Sequence, residues 1–387
     1  MLLISDSDAL AAFIGRQAGA EFVTIDTEFM RDRTFWPILC LVQVAGPEDA
    51  AAIDTLAPGL DLAPLYAMLA DPKILKVFHA ARQDIEIFFH RTGRIPAPIV
   101  DTQVAAMVCG FGDAVSYETL AGKLAGAQID KSSRFTDWSH RPLTERQLQY
   151  ALSDVTHLRQ TYEKLRRRIE KSGRADWVKE EMAVLTDPAI YRVEPREAWR
   201  RIKVRGDKPR FLAILREVAA WREEEAQRRD LPRSRVIKDE SLIEIAAHAP
   251  ATGEDLARSR GLGRGFAEGR QGETLLAAIR RGVALKESDC PRLPPRADIP
   301  PGLGPIVDLL RVLLKMRCEA HEVASKLVAS ADDLERIAAD DKAAVPALTG
   351  WRRELFGADA LALKQGRLAL TAAGRQIKIV ELPVAAQ

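Results

Sequence analysis

The stretch Glu21-Phe-Val-Thr-Ile-Asp-Thr-Glu28 is rich in β-formers and carries two acids one residue apart, Asp26 and Glu28. Alternate side chains of a strand face the same way, so both carboxylates project together. A strand with such a face needs either a cation or solvent opposite it, and any sheet built around it must leave that face open. Taken alone, Asp-x-Glu fits the solvated surface more readily.

A different geometry is written at 144–158. Thr144-Glu-Arg-Gln147 is a capping box, and Leu148, Ala151, Leu152, Val155 and Leu158 recur at helical spacing. Tyr150 and Asp154 then stand one turn apart on one face, where a phenol and a carboxylate can meet one ligand. An ordinary amphipathic helix with an interfacial tyrosine and a solvated aspartate reads the same way. Between these segments, Lys76-Val-Phe-His-Ala-Ala-Arg-Gln-Asp84-Ile-Glu-Ile-Phe-Phe89 predicts a short buried strand running into a helix. Asp84 falls in its first turn, where the helix N-terminus favours an acid. His79 reads as a strand-end histidine and is left out of the site.

Together the three fragments match, in order and spacing, the ribonuclease D family of 3′→5′ exonucleases. The first is Ile25-Asp-Thr-Glu-Phe29 with Thr34-Phe-Trp-Pro-Ile-Leu-Cys-Leu-Val-Gln43. The second is His79-Ala-Ala-Arg-Gln-Asp-Ile-Glu86, and the third is Asp137-Trp-Ser-His-Arg-Pro-Leu143 leading into Gln147-Leu-Gln-Tyr-Ala-Leu-Ser-Asp-Val155. The resemblance spans residues 1–165, and Tyr150 four before Asp154, with Gln149 beside it, resembles the tyrosine branch of the DEDD superfamily. It implies an α/β ribonuclease H-like exonuclease domain with a mixed sheet. It also implies a metal-dependent exoribonuclease that trims the 3′ ends of structured RNA, tRNA precursors in particular, releasing 5′-mononucleotides.

By the same resemblance Asp26, Glu28 and Asp154 hold the ion that carries the attacking water. Asp26 bridges to a second ion, Asp84 supports that ion through water, and Tyr150 orients the nucleophile. The chemistry is consistent: four converging carboxylates raise one another's pKa unless cations neutralise them. Oxygen donors without Cys or His select Mg²⁺ or Mn²⁺ over zinc. Two such ions roughly 3.5–4 Å apart can clamp a phosphodiester. A tyrosine with a pKa of about 10 is a poor base at neutral pH, so Tyr150 is assigned positioning.

The first third alternates predicted strands (22–27, 38–45, 50–54, 74–78, 99–101) with predicted helices (61–70, 83–91, 102–109, 116–125, 144–171), an α/β pattern. After a segment around 186–204 the chain turns helical, with helices expected at 211–228, 239–248, 252–259 and 273–281. The run Leu215 to Leu242 resembles the helicase-and-RNase-D C-terminal (HRDC) domain, an auxiliary nucleic-acid-binding module. Within it Arg228, Arg229, Arg233, Arg235 and Lys238 surround a Leu-Pro turn. They could grip phosphates without reading sequence, or form a solvated loop over Asp230 and Glu223–Glu225. Phe35, Trp36 and Leu39 are candidates to stack or wedge against terminal bases; Trp221 reads as core. Pro291, Pro294, Pro295, Pro300 and Pro301 mark a semi-rigid linker. Beyond it, runs at 304–327, 332–336 and 351–356 suggest a second small helical bundle, which the resemblance makes a diverged copy of the first. The expected division is therefore 1–170 exonuclease, 171–207 connection, 208–288 HRDC-type module, 289–303 linker and 304–387 second module: one or two small all-α bundles after the α/β domain.

A length of 387 residues suits two or three domains, and a net charge of +2 excludes a uniformly basic nucleic-acid binder. Residues 196–290 nonetheless carry 21 Lys/Arg against 16 Asp/Glu, a net of +5 with −3 on the remainder. Four scattered cysteines with no Cys-x-x-Cys read as reduced thiols of a cytosolic protein. The N-terminal apolar residues are interrupted by Asp6 and Asp8, so neither a signal peptide nor a membrane partner is expected. The lack of a coiled-coil heptad leans toward a monomer. The same carboxylates serve DNA exonucleases in repair or proofreading, which is the alternative enzymatic reading. A silent RNA-binding adaptor would have lost a carboxylate, and all four are present.

Overall fold

The β-rich runs of the first hundred residues form six strands of one mixed sheet. In this computed structural model, which describes residues 2–130, 133, 136–204, 206, 208–293 and 300–383, the strands are β1 (Leu2–Ile4), β2 (Phe22–Met30), β3 (Ile38–Ala45), β4 (Ala50–Ile53), β5 (Leu75–Phe78) and β6 (Ile99–Asp101). Their order is β1-β4-β3-β2-β5-β6, with β1 parallel to β4, β5 parallel to both β2 and β6, and β3 antiparallel to β4. Seven helices accompany the sheet: α1 (Ser7–Gln17), α2 (Ala63–Ala70), α3 (Arg82–Thr92), α4 (Thr102–Val108), α5 (Tyr117–Ala125), α6 (Glu145–Ser172) and α7 (Ala175–Leu185). The sequence pattern places nothing at β1, α1 or α7; β1 is only three residues long and is defined by its pairing to β4.

α6 is the longest helix among the described residues. Both halves of its capping box form, and Gly173 ends it with φ +70, a left-handed geometry that glycine reaches without steric cost. Its apolar stripe packs against β2 and β5, where Leu158 and Tyr162 meet Phe22 and Val77. The segment before it is fastened by Arg141, whose guanidinium donates two hydrogen bonds to Asp54, at 2.8 and 2.6 Å, and others to the carbonyls of Trp138, His140 and Cys40. Arg141 in the third motif is thus an anchor.

The chain divides into two compact units, residues 1–28, 40–190 and 297–387 on one side and 29–39 and 191–296 on the other. The helices of the second unit are α8 (Pro209–Arg229), α9 (Arg233–Val236), α10 (Asp239–His248), α11 (Gly253–Ala257), α12 (Arg264–Ala267) and α13 (Arg270–Ala284). The first unit resumes after them with α14 (Gly304–Ala320) and the remainder of the chain. This C-terminal module docks through Trp351 stacked on Trp177 at 4.2 Å, Arg352 paired with Glu180 and Glu181, and Ala324 N–H bonded to the Met107 carbonyl. The helix expected over 304–327 stops at Ala320, because Glu322 takes φ +49, and resumes only as one turn at Ser325–Val328. A hairpin of Leu368–Ala373 and Gln376–Glu381 lies beyond it, an addition to the expected helices. Of the linker prolines, Pro294 and Pro295 lie outside the described residues. No described helix is long and apolar enough to cross a membrane.

In the second unit the expected connection is part of the fold: Trp199 in a 3₁₀ turn (Pro195–Arg201) is 2% exposed and joins the core of α8, α10 and α13. Trp221 is buried there as expected, donating to Thr274 Oγ1 at 2.9 Å. α8 and α13 meet at Gly282, where a Cβ would come within 2.6 Å of the Ile214 Cα. Gly282→Ala should therefore force the two helices apart and destabilise this unit by about 1–3 kcal/mol, read in urea unfolding followed by tryptophan fluorescence.

Candidate active site

β2 and α6 supply the carboxylates. Oxygen atoms of Asp26, Glu28 and Asp154 lie within 4.8 Å of one another. Two hydrogen bonds fix α6 to its neighbours at this level: Thr24 Oγ1 on β2 donates to the Val155 carbonyl at 2.7 Å, and the Tyr117 hydroxyl donates to the Asp154 carbonyl. Both land on the backbone of α6 at the position that carries the acid. Tyr150, one turn earlier, hydrogen-bonds the Asp154 side chain, and the buried Trp138 ring lies 6.1 Å behind its own.

Asp84 stands outside that trio. It is buried in the first turn of α3, and Thr27, between Asp26 and Glu28, donates its hydroxyl to the Asp84 carboxylate. The preceding turn is held by buried Asp101, which accepts from the N–H groups of Ala80, Ala81 and Gln103 at 2.8–2.9 Å. Ala80 there takes φ +58, a conformation that costs a side-chain-bearing residue energy and persists because three hydrogen bonds determine it. His79 Nδ1 meets Thr102 Oγ1 at 3.0 Å, in keeping with a structural histidine.

The electrostatics follow from crowding like charges in a desolvated place. Burial pushes the Asp26 pKa up to about 6. Asp84 is raised well above the usual carboxylate range, by burial first and the Asp26 charge second. Tyr150 is also raised, by burial and then by Asp154, Glu28 and Asp26, so its phenol keeps its proton at neutral pH. The cluster is made of carboxylates only, a set of hard oxygen donors that fits a divalent cation such as Mg²⁺ or Mn²⁺ and offers zinc none of its preferred nitrogen or sulfur ligands. A cleft of about 400 Å³ opens on the group, lined by Asp26, Tyr150 and Asp154 and by Gln103, Ser116 and Tyr117.

Sequence reasoning brings together Asp26, Glu28, Tyr150 and Asp154 as found, and places Asp84 beside them. It misses Thr27, Tyr117 and Asp101. Thr27 lies inside the first motif and is legible as a polar residue on a buried strand; the other two are positioned by tertiary contacts alone.

The nucleic-acid candidates fare differently. Phe35 and Leu39 are 6% and 1% exposed. Phe35 belongs to the core of the helical unit, under the Arg233 guanidinium, with its N–H bonded to Asp230. Buried side chains have no face for a base, so of the three only half-buried Trp36 retains one. Arg233 is committed to Glu223, a fully buried carboxylate, and acts as a structural ion pair in place of the expected phosphate contact. Arg228 pairs with Glu225, whereas Arg229, Arg235 and Lys238 are exposed.

Family comparison agrees with this arrangement. A 3′-5′ exonuclease family matches residues 1–170, and the HRDC domain family matches residues 211–279. Ribonuclease D of Granulibacter bethesdensis is 56% identical over 98% of this chain and 96% of its own length. Ribonuclease D of Acidiphilium cryptum is 54% identical over 99% and 97%. The crystal structure of Escherichia coli RNase D, described as an exoribonuclease involved in structured RNA processing, superposes with a TM-score of 0.79 at 32% identity, over 94% of this chain and 98% of that one.

A carboxylate whose folded-state pKa is raised opposes folding when it ionises. That cost is absent below about pH 4, where the acid is protonated in both states, and grows as pH rises through about 6 for Asp26. In chelator, Asp26→Asn should therefore match the wild type in thermal stability near pH 4 and exceed it at pH 8, by on the order of 2 kcal/mol. A gap that does not change with pH would mean that Asp26 is already neutralised.

Proposed function

Because the chain belongs to the ribonuclease D family of 3′→5′ exoribonucleases, we propose that it trims structured RNA from the 3′ end, tRNA precursors in particular, hydrolysing one phosphodiester at a time to release 5′-mononucleotides. The observation that carries this reading is the convergence of Asp26, Glu28 and Asp154, with Asp26, Asp154 and Tyr150 at the wall of one cleft.

We assign Asp26, Glu28 and Asp154 to the ion beside the attacking water, Asp26 also to a second ion, and Asp84 to support of that second one. Two divalent cations bound there, Mg²⁺ or Mn²⁺, would supply a polarised water and charge compensation at the leaving 3′-oxygen. Tyr150 keeps its proton and donates it to the Asp154 side chain, so its oxygen is left to accept from and orient the nucleophile, and it does not act as the base. Thr27 fixes one Asp84 oxygen. Trp138 packs beside the Tyr150 ring, 6.1 Å between centroids. The cleft has the volume of a small-ligand site and suits one terminal nucleotide.

The modular reading goes with it: an exonuclease domain over 1–170, an HRDC-type module over 208–288, and a diverged second helical module over 304–387. In this scheme the modules hold the folded RNA while its single-stranded end reaches the carboxylates, and the protein works as a monomer.

The test uses 5′-labelled 3′-extended tRNA and a matched single-stranded DNA, with Mg²⁺, with Mn²⁺ and with chelator. The expected result is a metal-dependent ladder shrinking from the 3′ end of the RNA and slower on DNA; faster DNA trimming would instead support a repair exonuclease. Asp154→Asn should lower kcat by roughly 10³-fold with RNA binding retained. Tyr150→Phe should lower kcat by roughly 10²-fold with little change in KM; a larger effect on KM would make Tyr150 a substrate contact.

A further inference from the structure

We propose that the C-terminal end of α6 carries a second phosphate-binding site, a pocket of about 570 Å³ that grips the backbone of the RNA remote from the catalytic carboxylates. The proposal rests on the exoribonuclease reading and names where that substrate is held.

Lys164, Arg167, Arg168 and Lys171 recur at i, i+3, i+4 and i+7, which puts four cations on one face of the helix, all of them exposed. Elsewhere on α6, basic side chains are matched: Arg166 meets Glu21 at 2.6 Å, and Arg159 meets Glu163 at 3.9 Å. On this face Arg168 meets Glu322 at 3.0 Å, while among the described residues Arg167 and Lys171 have no carboxylate within 4.0 Å. Arg174 comes just after the helix. Its guanidinium donates to the carbonyls of Val108, Glu322 and His321, which hold it in place without cancelling its charge. Arg167, Arg168, Lys171 and Arg174 line the pocket with Ser172, against a single carboxylate, Glu322.

An ordinary helix end explains part of this, since cations are favoured at a C-terminus. It does not explain the like charges at Arg167/Lys171, a spacing that destabilises a helix. The walls are also built. Arg168 lies over the Phe111 ring at 4.9 Å and Arg174 over Trp177 at 5.0 Å, which fixes both guanidinium groups. Gly110, at φ +77, lies so close to Glu322 that a Cβ would come within 2.8 Å of its carbonyl oxygen. The one carboxylate is engaged by Arg168.

A solvent-facing pocket lined by guanidinium groups, two of them fixed by aromatic rings, suits phosphate oxygens of a nucleic-acid backbone. The same helix bears Tyr150 and Asp154, and the 17 residues from Asp154 to Lys171 correspond to about 25 Å along its axis. RNA held at the pocket is therefore set at a constant distance from the carboxylates, and only a substrate several nucleotides long can reach both.

The test is the double variant Arg167→Gln/Lys171→Gln, with Arg167→Lys/Lys171→Arg as the charge-preserving control and thermal melts to confirm folding. Binding of a labelled RNA of about twenty nucleotides is measured in chelator against salt. The Gln variant should bind roughly tenfold more weakly at low salt, and its slope of log K against log salt should be shallower by about 1.4, the value for two lost single-strand phosphate contacts. The control should bind as the wild type does. With metal, kcat/KM on a dinucleotide, too short to span both sites, should be unchanged in the Gln variant. Unaltered RNA affinity and slope, or an equal loss on the dinucleotide, would overturn the site. A wild type that trims DNA but not RNA would overturn the exoribonuclease reading itself, an outcome scored before any variant is made.

Discussion

Everything at the catalytic end depends on keeping like charges together without letting them relax apart. Asp26, Glu28 and Asp154 repel one another, and burial makes that repulsion stronger. The fold opposes it with backbone-directed hydrogen bonds: Thr24 to the Val155 carbonyl and Tyr117 to the Asp154 carbonyl. Neither touches a carboxylate, so neither neutralises the charge that a cation would need to find. Side-chain donors reach a carboxylate at two places, Tyr150 at Asp154 within the trio and Thr27 at Asp84 outside it.

α6 is the part through which the two ends of this unit are coupled. Its N-terminal third carries Tyr150 and Asp154, its middle packs on β2 and β5, and its last turns face the C-terminal module. A helix of 28 residues with both caps satisfied is stiff enough to fix a spacing between them. The C-terminal module is correspondingly not a loosely tethered appendage: Trp351 on Trp177, Arg352 on Glu181 and Arg174 on the His321 and Glu322 carbonyls attach it to the nuclease.

The same logic explains where the sequence misleads. Phe35 reads as a base-stacking ring because an aromatic beside Trp36 near an acidic motif is what a nuclease cleft would use. Residues 29–39 instead fold with the helical unit, and Asp230, at the end of α8, accepts from the Phe35 and Trp36 N–H groups. Arg233 reads as a phosphate ligand because it lies in a basic run, yet its partner Glu223 is ten positions earlier in the chain and fully buried. A lone buried carboxylate is costly, so the arginine is drawn inward. Neither partner can be weighed without knowing which faces of α8 are covered.

The sequence by itself determined the local chemistry: β-formers that set Asp26 and Glu28 on one strand face, a capping box and a 3.6-residue period that set Tyr150 and Asp154 one turn apart, and a helix start that holds Asp84. These depend on backbone geometry over a few residues, which short patterns encode directly. Tertiary structure alone decided that these faces point at one another, that Thr27 and Tyr117 position them, that 191–204 belongs to the helical unit, and that among the described residues Arg167 and Lys171 have no carboxylate within reach while Arg166 and Arg168 are matched. Those outcomes depend on which distant surfaces are buried together, and burial converts a charge from a solvated side chain into either a matched pair or an open site.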